Sequence, residues 1–110
     1  MKRLLLVAIL AALSAAANAE SSIIVCGSHS VQIINGPTGA FVGIVADNVP
    51  FDEFPNIERQ IDGGKLITSL SAVRADHRQS VLVTLKEGGG ISAQLVSGAE
   101  YIWRETCRAL

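Results

Sequence analysis

Aromatic residues are scarce in this chain: three phenylalanines, one tyrosine and one tryptophan in 110 residues. A basic face interleaved with aromatics, the usual equipment for stacking nucleic-acid bases, cannot be built from so few. Charge is sparse as well, with nine Lys and Arg against ten Asp and Glu and a net charge of −1. Nothing in that balance attracts a polyanion or an anionic membrane, so no nucleic-acid partner is expected. Two histidines and two cysteines leave little material for a metal centre. After residue 19 there is no long apolar run, internal repeat, low-complexity stretch or linker.

What is present begins with a basic start, Met1-Lys2-Arg3, an apolar run from Leu4 to Leu13 and a small-residue stretch ending Ala17-Asn18-Ala19. This is the layout of a cleavable secretory signal over residues 1–19, with cleavage before Glu20. The apolar run is about half the roughly 20 residues that a spanning helix needs, so no integral membrane segment is expected after signal removal. The predicted destination is the periplasm or the exterior. Removing the signal leaves 91 residues, and losing Lys2 and Arg3 leaves seven basic against ten acidic residues, a net of −3. Residues 20–110 are long enough for one domain that buries only about 60–65% of its unfolded surface, which makes its core marginal.

Cys26 and Cys107 lie near the two ends of that domain. An even count in an oxidising destination predicts an intramolecular disulfide. A bridge enclosing nearly the whole domain removes about 4.5 kcal/mol of unfolded-state freedom in the chain-entropy model.

The periodicity is closer to two than to 3.6, and turn signals recur at short intervals. Ile23–Val25, Val31–Ile34, Phe41–Val45, Lys65–Val73, Val81–Leu85, Ile91–Leu95 and a last segment with Tyr101, Trp103 and Cys107 on one parity all read as extended. Gly88-Gly89-Gly90 reads as a hairpin turn. Phe54, Ile57 and Ile61 fall at i, i+3 and i+7 between Pro50 and Gly63-Gly64, which predicts a short helix over Asp52–Ile61. The expected fold is therefore α+β but mostly β: a small antiparallel sheet or partly open barrel of five to six strands with one short helix.

Chemistry is thinly represented. Cys26, His29, His77 and Cys107 offer four zinc-type ligands, but their spacings match no zinc framework and the disulfide consumes both thiols. Ser28, Ser30, His29, His77 and Asp76 are the candidates for a nucleophile–base set, and no nucleophile-elbow motif surrounds them. Asp52 and Glu53, with Glu58 and Asp62 nearby, offer a pair of carboxylates for a small envelope hydrolase. Gly88-Gly89-Gly90 lacks the lysine and hydroxyl of a phosphate loop. No cofactor fingerprint appears.

Ser97-Gly98-Ala99-Glu100-Tyr101 resembles the Ser-Gly-x-x-Tyr loop of the periplasmic C-type lysozyme inhibitors, small exported β-barrels that also join an early cysteine to a late one. The resemblance implies that Ser97 and Tyr101 belong to a loop inserted into a lysozyme active site. The second motif of that family, Tyr-x-x-x-Thr-Lys-Gly, has no counterpart after Tyr101, so the chain is not assigned to it. Three readings follow. The first is a non-catalytic binding module for another exported protein or a cell-envelope component, with Val49, Phe51, Phe54, Ser97 and Tyr101 as its candidate contact surface. The others are the envelope hydrolase and a structural protein that pairs through an exposed strand edge.

Overall fold

Val81 and Val83 are fully buried while Leu82 and Thr84 between and after them are half-buried, the two-residue rhythm of a strand with one face to an interior. The computed structural model describes residues 20–110, and the expected signal segment lies outside the described residues. Eight antiparallel strands follow in chain order: β1 (Glu20–Cys26), β2 (His29–Asn35), β3 (Phe41–Ala46), β4 (Val49–Asp62), β5 (Lys65–Arg74), β6 (Gln79–Lys86), β7 (Ile91–Ser97) and β8 (Glu100–Ala109). Each pairs with the next, and β8 pairs back with β1 to close a barrel. Eight strands enclose a space that side chains just fill. Here Phe51, Ile44, Val31, Val81 and Val83 fill it beside the small Ala46, Ala72 and Ala93, and no polar or charged residue is buried among the described residues.

This architecture overturns the expected α+β fold. Among the described residues there is no helix, and the barrel is closed with eight strands rather than partly open with five or six. The segment read as a helix, Asp52–Ile61, lies within β4. Ile57 and Ile61 share a strand parity as well as a helical stripe, and opposite them in β5 stand Leu70 and Leu66. Cross-strand apolar pairs stabilise the extended form, whereas a ten-residue helix on its own is marginal. Phe54 and Pro55 fall between the Glu53↔Val73 and Asn56↔Ser71 pairs, where the register shifts. A proline in such a bulge costs no ladder hydrogen bond. Gly63 and Gly64, with φ of 60° and 81°, form a two-residue hairpin turn instead of a helix stop.

Two seams of the barrel are short. The β1–β8 ladder has three pairs, Ile24↔Ala109, Val25↔Arg108 and Cys26↔Cys107, and the two cysteines that face each other there are joined by a disulfide. The β3–β4 ladder also has three, from Ile44↔Phe51 to Ala46↔Val49. Beyond Phe51, β4 bulges away from β3 and continues with β5 as a hairpin. Every residue from Phe54 to Leu66 is exposed.

Candidate functional site

Alternate hairpins of an up-and-down barrel share an end. The β1–β2, β3–β4, β5–β6 and β7–β8 turns therefore gather at one rim. Both segments of the expected contact surface, Val49–Phe54 and Ser97–Tyr101, approach that rim.

On one side of it stands a cluster built from three strands. Asp47 and Asn48, with φ of 49° and 69°, form the β3–β4 turn, and positive φ at both central positions is what a two-residue hairpin of this twist requires. The Asp47 carboxylate accepts from the Ser30 N–H at 3.0 Å and lies 2.7 Å from His29 Nδ1, while the Asp47 N–H donates to the Ser30 carbonyl at 2.8 Å. Burial opposes ionisation of Asp47, but the Ser30 N–H, the hydrogen bond with His29 and the imidazole's charge together hold its carboxyl below the ordinary range. The His29 ring stacks flat on Trp103 of β8, with centroids 4.3 Å apart and planes 9° from parallel. His29 also sits opposite Cys26 in the β1–β2 ladder, so the stack covers the place where β1 stops short of β8.

A second group contains Glu53, Phe54 and His77. Phe54 is 69% exposed and has a φ of 51°. Its ring is tilted against His77, 5.5 Å between centroids, and His77 Nε2 lies 3.7 Å from Glu53 Oε1. His77 itself has a φ of 61° in the β5–β6 turn. Bulky residues rarely adopt the left-handed region because Cβ crowds the backbone, so two adjacent examples mark a strained corner.

Across the rim, the β7–β8 turn presents Tyr101, 57% exposed, with the Arg104 guanidinium 5.2 Å from its ring centroid. Tyr101 shares a parity with Trp103 and Cys107 in the sequence but does not share their face. Tyr101 pairs with Val96 and Trp103 with Leu95, so Ile102 is an extra residue and the bulge turns Tyr101 outward.

Comparisons with protein-family models, with curated proteins and with solved structures find no match to this chain. Of the expected contact residues, Phe51 is buried, Val49 and Ser97 are half-buried, and Phe54 and Tyr101 stand out. The carboxylates of the hydrolase reading do not converge: Asp52 lies at the register shift, Glu53 turns to His77, and Glu58 and Asp62 lie on the exposed hairpin. The zinc set is not assembled either, since both thiols are in the disulfide and no group of three His, Cys, Asp or Glu able to hold a metal occurs among the described residues. His29 is oriented by Asp47 and not by Asp76, which instead caps its own turn by accepting from the Arg78 N–H at 2.9 Å. No serine hydroxyl is hydrogen-bonded to either histidine among the described residues. Sequence reading missed the His29–Asp47–Trp103 cluster; its one local signal was an Asp-Asn pair after a β-branched run, the composition of a tight hairpin turn.

Proposed function

We propose that the chain is an exported, non-catalytic binding module, periplasmic or secreted, that engages another exported protein or a cell-envelope component through the rim bearing Phe54 and Tyr101. Phe54 carries the proposal. Holding a phenylalanine at positive φ costs on the order of 1 kcal/mol or more, and here that strain presents the ring to water instead of the core. Large exposed aromatics at a rim are the anchors around which protein contacts are organised. A photo-crosslinking residue placed singly at Phe54, Tyr101 and Ser71, the last on the barrel wall, tests it in an exporting host. Adducts to one partner from the two rim positions and none from Ser71 are expected; adducts from none of the three sink the reading.

One observation favours a narrower version. The structure is a closed barrel stapled early to late, and the Ser97-Gly98-Ala99-Glu100-Tyr101 segment that resembles the lysozyme-inhibitor loop is a tight turn at the rim, with Gly98 at a φ of 61°. In that version the partner is a C-type lysozyme. Inhibition of peptidoglycan lysis that vanishes in Tyr101→Ala supports it, and undiminished lysis at a large excess of the protein removes it.

A further inference from the structure

The hairpin of β4 and β5 is supported on one side only. β5 pairs with β6 up to Ile67↔Lys86, and beyond that the Leu66 N–H donates to the Glu87 carboxylate at 2.9 Å while the Glu87 N–H donates to the Leu66 carbonyl at 2.9 Å. Among the described residues β4 has no such neighbour: from Asn56 to Asp62 its one ladder there is with β5, and no described strand pairs with the opposite edge. The Gly63-Gly64 turn closes on the Asp62↔Lys65 pair, so hydrogen-bonded pairs recur at Gln60, Glu58 and Asn56. The N–H and C=O groups of Ile57, Arg59 and Ile61 consequently point off the free edge. Natural sheets blunt such an edge with charged side chains, lysine above all, or with proline; Asn56-Ile57-Glu58-Arg59-Gln60-Ile61-Asp62 has no lysine or proline, and its charges are Glu58, Arg59 and Asp62.

We propose that this edge pairs antiparallel with the same edge of a second copy, about a two-fold axis at Arg59. Read in both directions from Arg59, the segment is complementary to itself. Ile57 meets the second copy's Ile61 on one face. On the other face Glu58 meets Gln60 and Asn56 meets Asp62, so every carboxylate finds an amide donor. The backbone groups of Ile57, Arg59 and Ile61, which already point outward, form the inter-copy ladder. The result is a continuous four-stranded ribbon whose apolar stripe of Ile57, Ile61 and Leu66 is doubled; these side chains are 37%, 69% and 39% exposed in the single chain. Arg59 facing Arg59 is the one mismatch, and like charges directly opposite weaken a ladder. A short ribbon with that repulsion makes a weak, concentration-dependent dimer. This surface goes beyond the rim proposed above and leaves Tyr101 free for a different partner.

Sedimentation velocity of the oxidised protein between about 1 μM and 1 mM tests it, a range that spans weak association. A reversible monomer–dimer equilibrium is expected. Arg59→Thr removes the repulsion and tightens the dimer roughly fivefold, the size of one directly opposed pair. Ile61→Lys, at an exposed position the barrel does not need, abolishes it. Arg59→Pro deletes an outward N–H without touching the β4–β5 ladder and also yields a monomer. A wild-type protein that stays monomeric throughout overturns the proposal, as does a dimer indifferent to Ile61→Lys. A dimer that Ile61→Lys breaks but Arg59→Thr fails to tighten overturns the Arg59-centred register.

Discussion

The β1–β8 and β3–β4 seams have three residue pairs each, yet they are held shut by different means. The first joins the first and last of the described strands, so its closure costs the entropy of ordering nearly all the residues between them, and it carries the covalent bond between Cys26 and Cys107. The second joins neighbours across a two-residue turn and relies on fit. Gly43 lets β4 approach so closely that a Cβ there would stand 3.0 Å from the Phe51 carbonyl oxygen, and Phe51 beneath is 1% exposed. A long-range seam is stapled and a local one is packed. His29, Asp47 and Trp103 tie the two together, since Asp47 belongs to the β3–β4 turn and Trp103 to β8.

The largest expected effect comes from breaking the staple. The bond spans 81 residues of sequence, and removing it in the Cys26→Ala, Cys107→Ala double variant costs about 4.5 kcal/mol on the chain-entropy model. That is comparable to the whole stability of many small domains, so the variant should be largely unfolded at neutral pH by circular dichroism, and reduction of the wild type should match it. A midpoint of urea unfolding that barely moves would show that the seam closes on its ladder alone. Next comes the packed seam. Gly43→Ala has an ordinary backbone conformation but must push β4 outward, because the atom it meets is main chain, and about 1–3 kcal/mol should be lost while the disulfide stays formed.

The tie between the seams gives the smallest effect. The His29 and Asp47 side chains are 24% and 45% exposed, so screening limits the pair to about 1 kcal/mol or less. Its pH dependence has a defined sign on the Asp47 side. A carboxyl whose folded pKa lies below its unfolded one contributes stability that is present above the unfolded value near 3.8 and lost as pH falls through the folded value. Urea midpoints of wild type and Asp47→Asn should differ at neutral pH and converge as pH falls below the folded value. A gap that persists there would assign the effect to the turn's backbone rather than to the carboxylate.

Strands β5, β6 and β7 were legible because buried Leu70 and Ala72, Val81 and Val83, and Ala93 alternate with less buried neighbours such as Ser71, Leu82, Thr84, Ser92 and Gln94, and a face that is buried prints its period on the sequence. β4 was not, because most of it is exposed on both faces and prints no burial period. Its two prolines and the accidental spacing of Phe54, Ile57 and Ile61 then suggested a helix. Closure was illegible in every strand taken singly, since it depends on stagger summed around eight of them. The orientation of the candidate contact residues was only partly legible: Phe51 goes in and Phe54 out across the register shifts of β4, and the bulge in β8 takes Tyr101 off the side it shares with Trp103 in the sequence. The His29–Asp47 contact joins residues 18 apart and has no periodic signature at all.

The bond between the first and last strands turns the backbone from Cys26 to Cys107 into a loop without free ends. A protease that cuts the exposed Gly63-Gly64 turn would then linearise the molecule instead of dividing it, and the two pieces would travel as one until a reductant reached Cys26 and Cys107. Wherever a protease reaches that turn, the staple is also an insurance against single nicks, independent of how much it adds to folding.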